Sequence, residues 1–273
     1  MSKRNSQEAK RAARERLQAE RARQAKRDKV RRQVLVSVSV LGILAVAGGI
    51  GYGVMKMNEP TRWEAASDKK LVTPENAKGK YGTEVTLGGE KSKDTIEVYE
   101  DLRCPACASF EQSAGELLQK GADDGKYKLQ LHLGGIIDNG LGGEGSRNAI
   151  SALGSALNVS QDAFREYHEK LYSKEFHPQE SEDKFADNSY LIDVANTVPE
   201  LKNDKGFQKD VENGTFDRWT MEMLKDFDKG EIEGTPAFKV NGELVQQEQL
   251  PNKLAELGVK PEGAEKKDEK DKK

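Results

Sequence analysis

Cysteine is almost absent from this sequence: there are two in 273 residues, at positions 104 and 107. That excludes a small secreted fold stapled by several bridges, which needs more cysteines spread along the chain. Histidine is equally scarce. His132, His168 and His177 are the three present, and no two have the spacing of a zinc finger, so a zinc site around the two cysteines lacks its other ligands. No metal site and no cofactor are expected. Taken singly, each histidine reads as an ordinary surface or strand residue. Aromatic residues make up 6% of the chain, and none lies in the first 33 positions, although that stretch is strongly basic. A nucleic-acid arm would interleave aromatics with its charges, so this partner class is set aside. No internal repeat is visible.

What is present describes a globular protein with an appendage. The hydrophobic share of 35%, with 26 glycines, is near the norm for folded chains, and the length allows one large domain or two small ones. A net charge of -3 hides a split: residues 1–33 carry +9 and the remainder -12. Between them, residues 34–55 run for 22 positions without a charge, about 33 Å of helix, which matches a bilayer core. A single transmembrane helix is expected there, with the arm ending in Arg31 and Arg32 held in the cytoplasm and in reach of anionic lipid. The rival is a signal peptide with an h-region from Val34 to Leu44, cleaved after Ala47. It is disfavoured because the apolar run continues past that point to Tyr52, an interfacial aromatic. Ala45, Gly49 and Gly53 offer a small-residue face for a homodimer, a weak signal in so Ala/Gly-rich a helix. Residues 56–80 read as a polar tether with Trp63 at the headgroup level, and 261–273 as a disordered charged tail.

The folded part is expected over 81–260. Thr83–Leu87 and Thr95–Glu100 read as strands around a Gly88-Gly89 turn, and Leu129, Leu131 and Leu133 alternate as a third. Helical spacing follows Cys104 and recurs over Arg147–Leu157, Gln161–Tyr172, Tyr190–Asn196 and Phe216–Phe227. Ala237–Val240 and Glu243–Val245 flank Asn241-Gly242, a hairpin turn, before a short helix over Leu250–Leu257.

Cys104 and Cys107 therefore sit where a strand turns into a helix. Free backbone N–H groups and the helix dipole stabilise a thiolate at that position, and Pro105 suits the first helical turn. Cys104 stands at the exposed helix start as nucleophile. Cys107, on the apolar stripe, stays protonated and resolves the mixed disulfide. A permanently closed structural bridge is the bland alternative, and so short a loop would stabilise the chain little.

The order of strand, Cys104-Pro105-Ala106-Cys107 on a helix, strand, helical stretch, and Gly234-Thr235-Pro236 before a hairpin resembles the thioredoxin-like fold, in its DsbA-like branch. The resemblance covers about 83–258 and implies an α/β fold with a helical insertion at about 143–230. It also implies that Pro236 follows a cis bond facing Cys104, and that Thr235, Pro105 and Ala106 contact substrate, the Thr235 backbone pairing with an extended segment. Strongly oxidising members often carry His where this chain has Ala106, which cannot hydrogen-bond the thiolate. Arg103 is expected to lend positive charge against Glu100 and Asp101. The Cys104 pKa is accordingly expected between the roughly 7 of thioredoxin and the roughly 3.5 of DsbA.

Together these readings describe a membrane-anchored thiol-disulfide oxidoreductase outside the cytoplasm. Its partners would be secreted or surface proteins with cysteines and a membrane redox protein that recycles it. Disulfide formation or isomerisation is favoured. A reductase using the same residues, and a redox-inert binding or chaperone module of the same fold, are the alternatives.

Overall fold

The computed structural model describes residues 14–24, 26–34 and 60–259. The chain divides into two units, Met1–Thr61 and Arg62–Lys273. In the first, residues 14–24 and 26–34 are helical and exposed. Among the described residues no helix is long and apolar enough to cross a membrane. Positions 35–55 of the apolar run lie outside the described residues, as do Ala47, the Ala45-Gly49-Gly53 face and the tail.

The second unit is built on a mixed five-stranded sheet. In chain order its strands are β1 (Val85–Leu87), β2 (Thr95–Asp101), β3 (Lys128–Gly134), β4 (Ala237–Val240) and β5 (Glu243–Val245). Their spatial order is β1-β3-β2-β4-β5, with β2 and β3 parallel and every other pair antiparallel. Strand β2 is central, and its last four residues are buried, as a strand covered on both faces must be. The Gly88-Gly89 turn needs glycine: both residues have positive φ, and a Cβ on Gly89 would lie 1.7 Å from the Tyr127 carbonyl oxygen.

The helices are α1 (Arg62–Asp68), α2 (Pro105–Phe110), α3 (Glu116–Asp123), α4 (Ile136–Leu141), α5 (Gly145–Val159), α6 (Gln161–Tyr172), α7 (Asn188–Ala195), α8 (Lys205–Asn213), α9 (Asp217–Asp228) and α10 (Leu250–Glu256). A π turn over Glu111–Gly115 joins α2 to α3. Helices α4 to α9 lie between β3 and β4 in sequence, and their hub is α5, buried from Ala149 to Leu157 because α6, α8 and α9 all pack on it. Ser160 caps α6 by accepting the Ala163 N–H at 2.8 Å.

Residues 62–68, expected to belong to a tether, instead form α1 and pack against the rest of the second unit. Trp63 is buried, with its indole N–H donating to Glu144 at 2.9 Å, so it does not serve as a headgroup aromatic. Arg62 makes a bidentate pair with buried Asp217 at 2.8 and 2.6 Å and reaches Asn148 at 2.7 Å. These polar residues hid a buried face that a composition argument cannot see.

Candidate active site

The end of β2 builds the start of α2. The Cys104 N–H donates to the Asp101 carbonyl at 2.9 Å, and Asp101 Oδ1 accepts the Arg103 N–H at 2.8 Å. This tight turn leaves Cys104 extended as the N-cap, with Pro105 in the first turn. Both cysteines are free thiols. Across from them, the chain entering β4 brings the Thr235 carbonyl oxygen to 3.4 Å from Cys104 Sγ, and the Thr235–Pro236 bond is cis. Pro105 and Ala106 are exposed beside Cys104, while Thr235 and Pro236 are half-buried. The fold thus gathers all six residues singled out in the sequence. It departs from expectation in one respect: Cys104 is only 6% exposed, because the Thr235 loop covers it.

The electrostatics separate the two sulfurs. The hydrogen bond from the Cys107 thiol, followed by those from the Thr235 side chain and the N–H groups of Cys107 and Ala106, holds the Cys104 pKa down at about 5 despite partial burial. Burial, then the bond it gives Cys104 and the charge of Glu100, pushes the Cys107 thiol far above its ordinary value. Arg103 plays no part in this. Its guanidinium is buried against Asp138 at 2.8 Å and Asp183 at 3.2 Å, so its charge is spent on pinning the loops around α4 and α5. Asp101 is likewise engaged, accepting from Ile137 N–H at 2.8 Å and the Ser146 hydroxyl at 2.7 Å.

Two residues near the dithiol were not anticipated as functional. Glu100 is fully buried, and its Oε2 lies 2.8 Å from Nε2 of His168 on α6, itself buried rather than on a surface. The other oxygen, Oε1, has no hydrogen-bond partner. Burial raises Glu100 to about 7 against the opposing pull of Glu111 and Tyr172. Strand alternation does carry a signal, since Glu100 shares the inward face of Ile96 and Val98, where a carboxylate is out of place. Because the folded pKa is raised, Glu100 holds its proton in the native state over a range where the unfolded chain has lost it. Stability from this group is therefore complete below about pH 4.5 and lost as pH rises through 7. In urea unfolding, Glu100→Gln should gain on the wild type by about 3 kcal/mol between pH 4.5 and 8. A gap that stays constant with pH would show the carboxyl to be unperturbed.

Among the described residues, no three His, Cys, Asp or Glu side chains are grouped to hold a metal ion. Two free cysteines at a helix start can carry out sulfur exchange, and the relatives bear names of that chemistry. Disulfide bond formation protein D of Bacillus subtilis is 26% identical over 164 residues, spanning 59% of this chain and 68% of that protein. The reduced disulfide bond oxidoreductase DsbG of Mycobacterium tuberculosis superposes with TM-score 0.56 and 25% identity, covering 64% of this chain and 86% of that one. Oxidised DsbA of the same organism gives 0.55 at 25% identity, over 66% and 95%. A sequence model described as thioredoxin matches residues 80–257. With a dithiol at a helix start on this sheet, the chain belongs to the thioredoxin family as a DsbA-like thiol-disulfide oxidoreductase.

Proposed function

We propose that the protein forms or isomerises disulfides in secreted or surface proteins from the extracytoplasmic side of a membrane, anchored through residues 34–55 with its basic arm inside. Cys104 attacks and Cys107 resolves. An extended substrate segment lies along the Thr235 backbone, over Pro105 and Ala106. A membrane redox protein restores the disulfide.

The observation that carries this reading is the stabilised Cys104 thiolate. A low pKa makes nearly all of Cys104 thiolate at neutral pH, yet thiolates lose intrinsic nucleophilicity as their pKa falls, so attack gains little. The larger gain is in leaving: a thiolate this stable departs readily when a substrate thiol attacks the mixed disulfide. It also favours the reduced enzyme, which is what an oxidant of other proteins requires. The basic arm beside an uncharged run supports the anchor and its orientation.

Titration of thiolate absorbance near 240 nm in the reduced protein should give a Cys104 pKa near 5. Equilibration with glutathione should place the couple above thioredoxin's about -270 mV and below the about -120 mV of the strongest oxidases. A pKa at or above that of a free thiol, or a potential at or below thioredoxin's, would refute the oxidase direction and leave the reductase reading.

A further inference from the structure

A cavity of about 600 Å³ lies between the π turn, α3, α6 and the sheet, and no residue of the exchange site lines it: Cys104, Cys107 and Thr235 all lie outside its walls. Its floor is apolar. Leu87, Val98, Leu129 and Leu131 share one face of the sheet, where strand pairing sets Leu87 beside Leu129 and Val98 beside Leu131, and Leu118 of α3 adds to them. Small-molecule sites have this size and this kind of lining, apolar with a few polar groups converging on it.

The polar groups here are acidic. The π turn supplies half-buried Glu111, whose carboxylate lies over Gly115 in the space a Cβ there would take, while α3 and α6 supply exposed Glu116 and Glu169. Among the described residues, none of the three has a Lys or Arg within salt-bridge distance. The Arg165 guanidinium, also in the lining, is taken up by Asp123 at 3.2 Å and Asp162 at 3.0 Å, and Lys174 stands exposed. Burial and then the charge of Glu100 raise Glu111 well above the usual carboxylate range. Partial burial raises Glu169, with Glu166 and Glu116 adding to it against the pull of His168 and Arg165. Tyr172 lines the same cavity from α6. It is 1% exposed, and its hydroxyl has no hydrogen-bond partner. Burying a hydroxyl unpaired is costly, and a ligand group that bonds it removes that cost.

We infer that this cavity binds an organic cation with an apolar body, its ammonium head set among Glu111, Glu116 and Glu169 and donating to the Tyr172 hydroxyl, its body laid on the floor of leucines. The charge decides the class. An anion would meet three carboxylates, and a neutral apolar molecule would cover the floor but leave those charges unpaired in a partly enclosed space. A bare metal ion does not fit either. Among the described residues no three His, Cys, Asp or Glu side chains are grouped to hold one, and an ion would leave the apolar floor uncovered. The site needs no redox step, so it stands independently of the exchange chemistry of Cys104 and Cys107.

Calorimetric titration of the full-length protein with matched probes checks this. Tryptamine and 4-phenylbutylamine should each bind saturably with Kd below ~1 mM. Tryptophol, which keeps the indole and replaces the ammonium by a hydroxyl, should bind at least ~10-fold more weakly, and indole-3-propionate should not bind. In the double variant Glu111→Gln/Glu169→Gln, whose side chains keep their size, the affinity for tryptamine should fall to that for tryptophol. Failure of both amines to bind, equal binding of tryptophol and tryptamine, or a tryptamine affinity that the double variant leaves unchanged overturns the site. If that variant does not fold, Glu116→Gln/Glu169→Gln, both at exposed positions, is read the same way.

Discussion

Cys104→Ser should reduce disulfide exchange to background, whereas Cys107→Ser should still attack and then stall as a mixed disulfide. The asymmetry follows from the two environments. Cys104 collects hydrogen bonds from the Cys107 thiol, the Thr235 side chain and two backbone N–H groups, so its sulfur is ionised at neutral pH, and a serine hydroxyl in that position is not. Cys107 is buried on the stripe of α2 with its proton held firmly, so it cannot attack first. Removing it takes away the group that would expel the substrate, and trapped complexes should accumulate on non-reducing gels. It also removes the leading stabiliser of the Cys104 thiolate, so the Cys104 pKa in Cys107→Ser should rise above about 5. Equal loss of the first step in both variants would mean that the sulfurs do not have separate roles.

Asp138→Ala should destabilise the domain by about 4 kcal/mol, the range for removing one partner of a buried ion pair. Asp138 is 3% exposed and accepts from Arg103 at 2.8 Å and from the N–H groups of Ser146 and Arg147 at 3.0 Å each. Its loss leaves the first turn of α5 unsatisfied. It also leaves the Arg103 guanidinium, whose Nε already lacks a partner, with partly exposed Asp183 as its one carboxylate and only the Gly142 and Glu180 carbonyls besides. Because Arg103 precedes Cys104, the helix start should loosen and the Cys104 pKa should climb. Urea unfolding with thiolate titration of the same variant checks both effects. A loss under about 1 kcal/mol would mean that Asp183 or water replaces the pair.

Most of the sheet was legible because its signals are local. The Asn241-Gly242 turn fixes β4 and β5, and the alternation of Leu129, Leu131 and Leu133 marks β3. What failed was short or non-local. Helix α8 buries only Phe207 and Val211, and α1 only Trp63 and Ala66, too few positions for a period to show. Helix α4 is six residues long and contains Gly140. The pairing of Glu100 with His168 joins positions 68 apart, and the surrender of Arg103's charge depends on Asp138 and Asp183 arriving from other loops. Such pairings exist only once the fold does. The two cysteines were readable for the opposite reason: their spacing, their proline and the strand before them all lie within a dozen residues.

The bond between Arg62 and Asp217 spans 155 positions of sequence, and β2 finds its neighbour β4 only when residues 237–240 have been made. A ribosome working from the N-terminus exposes the dithiol long before either contact can form. Closing loops of this length costs little in equilibrium entropy, which grows only with the logarithm of length, but it delays the search for the native arrangement. During synthesis Cys104 and Cys107 therefore travel without Thr235 over them and without the insertion behind them. The enzyme passes through a nascent stage in which its own thiols are as open to oxidation as those of any client protein.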